Sequence, residues 1–246
     1  MGWQDDPLIA KTQNWESDAL ISAARAGPPS TPAKQSIELR AGISPPKVLT
    51  ESVNPYSAGF FPLGRQYSVG DRATFRQSDL LTKIVQREYA KRVTRVDVEN
   101  DRVEINGGSE VWDTMGNYLK IRSDHFQTPG QFYPAELHVG KKWRTTYKVL
   151  GQSGLRTDDF VFHISRREMV RVPAGEFLAF RVTGVGWLDY REHPSSRCNV
   201  DDTFWLVPSL NFVIKHERVI RYTATGKYYQ SDNIELVYLR QHAFST

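Results

Sequence analysis

From Tyr67 to the end of the chain, strand-like runs and turn signals alternate every eight to twelve residues or so, with no long helical pattern between them. Residues 67–76 and 83–98 alternate in polarity and are rich in Val, Thr and Tyr. Asn100-Asp101 then separates two strand-like runs, and both residues tolerate the left-handed backbone of a tight hairpin. Asn106-Gly107-Gly108, Gly116-Asn117, Pro173 to Gly175, Pro208 to Asn211 and Gly226 repeat the device. Such punctuation restricts the chain to a mainly β, antiparallel architecture. Aromatic residues make up 12% of the chain, and their large buried areas compensate for a hydrophobic content of only 39%.

The chain also repeats itself. "YSVGDRATFR" from Tyr67 and "LHVGKKWRTTY" from Leu137 each place Val-Gly before an alternating strand. Ala73 and Phe75 share a face in the first copy; Trp143, Thr145 and Tyr147 do so in the second. Downstream, "TRVDVENDRVEI" and "MVRVPAGEFLAFRV" occupy comparable places as hairpins. The expectation is two related β-meanders paired into one strongly curved antiparallel sheet, an open half-barrel over residues 66–246.

Residues 1–65 differ in character. "DPLIAKTQNWESDALISAARAG" suits a short amphipathic helix that stops at Gly27, and "GPPSTPAK" and "SPPKV" are Pro-rich. This predicts a partly helical N-terminal arm whose Trp3, Trp15, Phe60 and Phe61 bury themselves on a partner or on the domain.

The pieces "YSVGDRATFR", "VTRVDVENDRVEI", "WDTMGNYLK", "ELHVGKKWRTTY", "VRVPAGEFLAFRV" and "TFWLVPSLNFVIK" resemble a loosely defined group of bacterial envelope proteins. Those proteins are in turn similar to the Lol-type half-barrel superfamily of lipoprotein-localisation carriers. The resemblance covers about residues 65–240. It implies a curved antiparallel sheet whose concave side takes apolar ligands, often closed by short helices. It implies no catalytic residue.

Candidate chemistry is sparse. Cys198 is the single cysteine, so an internal disulfide and a Cys-based metal cluster are excluded. Near it lie His193, Asp201 and Asp202, in a spacing that matches no ligand or dyad pattern. The remaining histidines, 125, 138, 163, 216 and 242, are scattered. Asp158-Asp159 and Asp201-Asp202 are the paired acids that glycoside hydrolysis would need, but neighbours on a strand point to opposite faces, and they read as turn residues. Aromatics interleaved with bases, as in "KKWRTTYK", read as half-buried strand residues whose basic neighbours face water.

The net charge of +4 is too small to select an anionic partner, and nucleic acid is not expected. No apolar run reaches the roughly 20 residues of a membrane-spanning helix. "MGWQDDPLIA" lacks the basic start and apolar core of a secretory signal. The expected location is therefore the periplasm or outer envelope if a signal has been removed, and the cytoplasm otherwise.

Together these features predict a non-enzymatic envelope protein, without cofactor or metal, that binds an apolar, lipid-like group or a partner protein. The ligand face expected from strand alternation is Leu178, Phe180, Val182, Phe204, Leu206, Phe212, Ile214, Leu236 and Tyr238. The alternatives are a structural or adaptor subunit docking through arm 1–65, and an enzyme acting on envelope polymers.

Overall fold

Two consecutive runs of antiparallel strands make up the domain. The computed structural model describes residues 61–62, 67–128, 130–134, 136–152, 154–190, 196–210 and 212–241. A short strand, β1 (Phe61–Pro62), comes first. The first run then comprises β2 (Arg72–Asp79), β3 (Val85–Asp97), β4 (Arg102–Ile105), β5 (Glu110–Trp112), β6 (Tyr118–Ile121) and β7 (Asp124–Phe126). After β8 (Glu136–Leu137), which pairs only with β1, the second run comprises β9 (Lys142–Gly151), β10 (Gly154–Val172), β11 (Gly175–Tyr190), β12 (Cys198–Val207), β13 (Phe212–Tyr222) and β14 (Tyr228–Arg240). Among the described residues there is no α-helix. The proposed arm residues Trp3, Trp15 and Phe60 lie outside the described residues, as does the side chain of Phe61.

The expected hairpin tips hold. Asp101, Asn106, Gly107, Gly108, Gly116, Gly175 and Gly226 all take positive φ at turns between consecutive strands, the conformation for which these residue types are suited. The repeat holds in atomic detail. At each Val-Gly step a four-residue turn closes, with the Asp71 amide donating to Ser68 O (3.0 Å) and the Lys141 amide to His138 O (3.2 Å). Gly70 and Gly140, with φ of 93° and 92°, supply the left-handed residue that a type II turn demands at its third position. Each glycine amide then donates 2.8 Å to a strand opposite, at Val93 O and Ile164 O.

One residue beyond each of those acceptors the strand carries a bulge, at Thr94 and at Ser165. The bulged hydroxyl donates in both copies to the carbonyl across the ladder, Thr94 to Glu104 (3.1 Å) and Ser165 to Arg181 (3.2 Å).

The half-barrel expectation is corrected: the barrel is closed, with strand order β10-β11-β12-β13-β14-β2-β3-β4-β5-β6-β7-β9 and β9 back on β10. Left alone, each six-stranded meander would expose two unpaired edges. Instead β14 pairs with β2, and β7 pairs with β9 through His125↔Leu150 and Phe126↔Val149, so the ends satisfy one another. The helical plug implied by the carrier resemblance is absent among the described residues.

A barrel of twelve strands is wider than the eight that side chains alone fill, so its interior needs bulk. Stacked rings of Phe160 and Phe162 on β10 supply some of it. They lie over Gly184 and Gly186 of β11, where any Cβ would run into a ring. The link between the meanders supplies more. Phe132 sits 5.6 Å from Phe162 and 5.7 Å from Tyr147, ring centre to ring centre, and Tyr133 meets Phe204 edge-on. Hydrogen bonds hold this inserted link, from the Gln131 amide to Thr145 Oγ1 and from Trp143 Nε1 to Gln131 O. At one end of the barrel the long β10–β11 hairpin bends beyond its Ser165 bulge. Its tip packs Val170, Val172 and Ala174 against Leu236 and Phe75, and the Ala174 amide donates 3.0 Å to Leu236 O.

Candidate ligand-binding site

Strand alternation brings a set of residues to the lumen that the inserted link does not fill. Tyr89 and Lys91 on β3, Asp202 and Phe204 on β12, His216 and Arg218 on β13, and Gln230, Asp232 and Ile234 on β14 are two-residue repeats that share the inner face. With Phe75, Trp112, Tyr118, Phe132, Tyr133 and Phe212 they line a cavity of about 220 Å³. Aromatic rings form the largest share of its walls, interrupted by charge.

The register sorts that charge along the barrel. Asp202, Arg218 and Asp232 form one cross-strand row, and Phe204, His216 and Ile234 form the next. Phe75 pairs with Tyr89 farther along, near Phe212, so the cavity grades from a polar row toward an aromatic end.

Each cation on the wall has its own counter-charge. Arg218 grips Asp202 with Nε and Nη2, both at 2.7 Å, and His216 Nε2 lies 3.0 Å from the same carboxylate. Burial alone would raise the Asp202 carboxyl, but the guanidinium and imidazole together hold it far below the usual carboxylate range. Lys91 Nζ lies 2.8 Å from Glu110 and 4.9 Å from the centre of the Trp112 ring. Burial favours its neutral form, yet its surroundings, with the Glu110 carboxylate in contact, outweigh that and hold the ammonium charged. Lys215 Nζ reaches Glu217 at 2.9 Å and Glu235 at 3.7 Å.

The residues expected to form an apolar ligand face are distributed differently. Phe204 and Phe212 line the cavity. Phe180, Val182, Leu206, Ile214 and Leu236 are fully buried packing residues. Leu178 and Tyr238 are each 42% exposed. Leu178 lies beyond the β10 bulge, where the hairpin has left the lumen and buries its other face through Ala179. On β13 the expected alternation fails at Ile214, an extra residue between the pairs Leu206↔Val213 and Trp205↔Lys215. It brings Lys215 to the cavity wall.

The paired acids are mid-strand residues of β10 and β12, which corrects their reading as turns, while their division between two faces holds. Asp158 and Asp202 are buried, whereas Asp159 and Asp201 face outward to Arg144 and Arg221. Cys198 is buried, its thiol donates 3.2 Å to Ser196 O, and burial pushes it up to about 11. His193 lies outside the described residues. Among the described residues no group of three His, Cys, Asp or Glu is placed to hold a metal. No helix among them is long and apolar enough to cross a membrane.

Sequence reasoning missed Lys91, Trp112, Asp232, His216 and Arg218. The signal was present as a charged residue two positions from an aromatic or aliphatic one in a strand (Tyr89/Lys91, Asp202/Phe204, Asp232/Ile234), which puts both on one face.

No family model matches the chain, and no curated protein does. Among solved structures it is similar to a candidate exported protein with a YmcC-like fold from Bacteroides fragilis, with a TM-score of 0.48 and 12% identity over 74% of this chain and 99% of that one. A candidate lipoprotein from Parabacteroides distasonis gives 0.43 and 12% identity over 74% and 98%. The hypothetical lipoprotein YmcC from Escherichia coli gives 0.39 and 6% identity over 72% and 92%. At these scores neither fold nor function transfers to this chain.

Proposed function

We propose that this protein is a non-enzymatic binding protein of the bacterial envelope that holds a small apolar or amphipathic group inside its barrel. The supporting observation is the aromatic-walled cavity of about 220 Å³ in the lumen. A dry apolar cavity of roughly 150 Å³ already accepts benzene, and drug-sized ligands use 300 Å³ or more, so the fit is to one ring or a short acyl segment. The envelope location rests on the strand-and-turn resemblance, not on the cavity. A holding role, as opposed to a reacting one, is supported by how the wall's acid–base groups are used: Asp202, His216 and Arg218 are committed to one another.

Calorimetric titration with 1-octanol tests this reading. The expected result is saturable one-to-one binding, weakened at least about tenfold by Ile234→Trp, which fills the cavity from β14. Val213→Phe, on β13, serves as a second filling variant if the first misfolds. No saturable heat from the unaltered protein would overturn the proposal.

A further inference from the structure

One carboxyl on the cavity wall differs from the others in its partners. Lys91, Arg218 and Lys215 each sit within 3 Å of a carboxylate. Asp232 does not have such a partner: it is 3% exposed, lines the cavity, and makes its one hydrogen bond among the described residues with the Gln230 amide. Its cross-strand neighbours offer no help. Arg218 on β13 has turned its Nε and Nη2 to Asp202, and the neighbour on β2 is another acid, Asp79. Asp232 is thus a deeply buried carboxyl whose hydrogen bond comes from a neutral amide, a position that a ligand's positive charge or strong donor would complete. The same cavity offers electron-rich faces from Tyr, Trp and Phe, the surfaces that attract desolvated ammonium groups.

From this geometry we infer that the cavity's ligand carries a cationic head, an amine or quaternary ammonium, which sits against Asp232 while its apolar body lies among the aromatic walls. The inference rests on the proposed binding role and adds the ligand's charge.

The test compares three eight-carbon probes by calorimetry at one ionic strength: octyltrimethylammonium, 1-octanol and octanoate. The expected order is ammonium tightest, by at least about tenfold over octanol, with octanoate weakest. In Asp232→Asn the ammonium advantage should fall to near the octanol affinity. Unchanged octanol binding in that variant shows that the cavity has kept its shape. If Asp232→Asn also loses octanol, Asp232→Ser serves as the second neutral variant: octanol binding kept with the ammonium advantage lost is the expected result, and an ammonium advantage that survives would overturn the cationic head. Equal binding of ammonium and octanol, or preference for octanoate, would overturn the cationic head and leave the binding role standing. Failure of all three probes would overturn both.

Discussion

Asp202 shows how a single residue constrains both stability and function. It is a carboxylate buried in a strand that otherwise supplies Val200, Phe204 and Leu206 to the core, and it is tolerable there only because Arg218 and His216 complete it. Asp202→Asn should leave a guanidinium buried without its counter-charge and destabilise the fold by about 3–5 kcal/mol at pH 7. The pH dependence follows from the sign of the shift. Because the folded-state pKa lies below the unfolded one, the native protein binds this proton less readily. The stabilisation is present above about pH 4 and is lost progressively as pH falls through the folded value. Denaturant melts of both proteins at pH 7 and pH 3 check this: the gap between them should be full at pH 7 and smaller at pH 3. Little of this was legible beforehand. "VDDTFW" reads as a turn because its acids have no visible partner; the partner is Arg218, sixteen residues on and across a ladder.

At the scale of the element, hairpin tips were readable because they depend on one or two residues whose backbone preferences are intrinsic, such as Asp101 and Gly226. Bulges were not readable, because Thr94 and Ser165 are ordinary strand residues that become extra only when a partner strand sets the register. Those bulges decide which face of a hairpin turns inward, and that is why Leu178 is exposed two residues from buried Phe180. The inner glycines were equally opaque: "GVGW" matches no motif, yet Gly184 and Gly186 lie mid-strand so that Phe162 and Phe160 can lie across them. Gly184→Ala should therefore cost about 1–3 kcal/mol by forcing the Phe162 ring from its place. Phe162→Leu in the same protein should recover part of that loss, so the two changes are non-additive in a double-mutant cycle. Simple additivity would mean that the ring does not depend on the glycine.

For the whole molecule, the repeated Val-Gly entry stands at the start of both six-stranded runs, and a bulge follows opposite each. Closure was beyond the sequence, because it depends on strand lengths, tilt and stagger agreeing around the full circumference, a property no single stretch carries. It also determines whether there is a cavity at all. An open sheet would present a concave apolar face, whereas a closed barrel of this width has a lumen that aromatic side chains and the link through Phe132 and Tyr133 fill only in part. Everything proposed for the cavity therefore depends on the narrower of the two seams, where β7 meets β9. His125 and Leu150 face each other across it, both exposed, at a cross-strand separation that suits a disulfide. The decisive measurement is the thiol count, by mass spectrometry after mild oxidation, of the folded His125→Cys/Leu150→Cys protein. A closed barrel predicts one intramolecular bridge between those two cysteines, with Cys198 still reduced in its buried site. Folded monomer with both introduced thiols free would mean that the meanders do not meet there, and the luminal cavity would be lost with them.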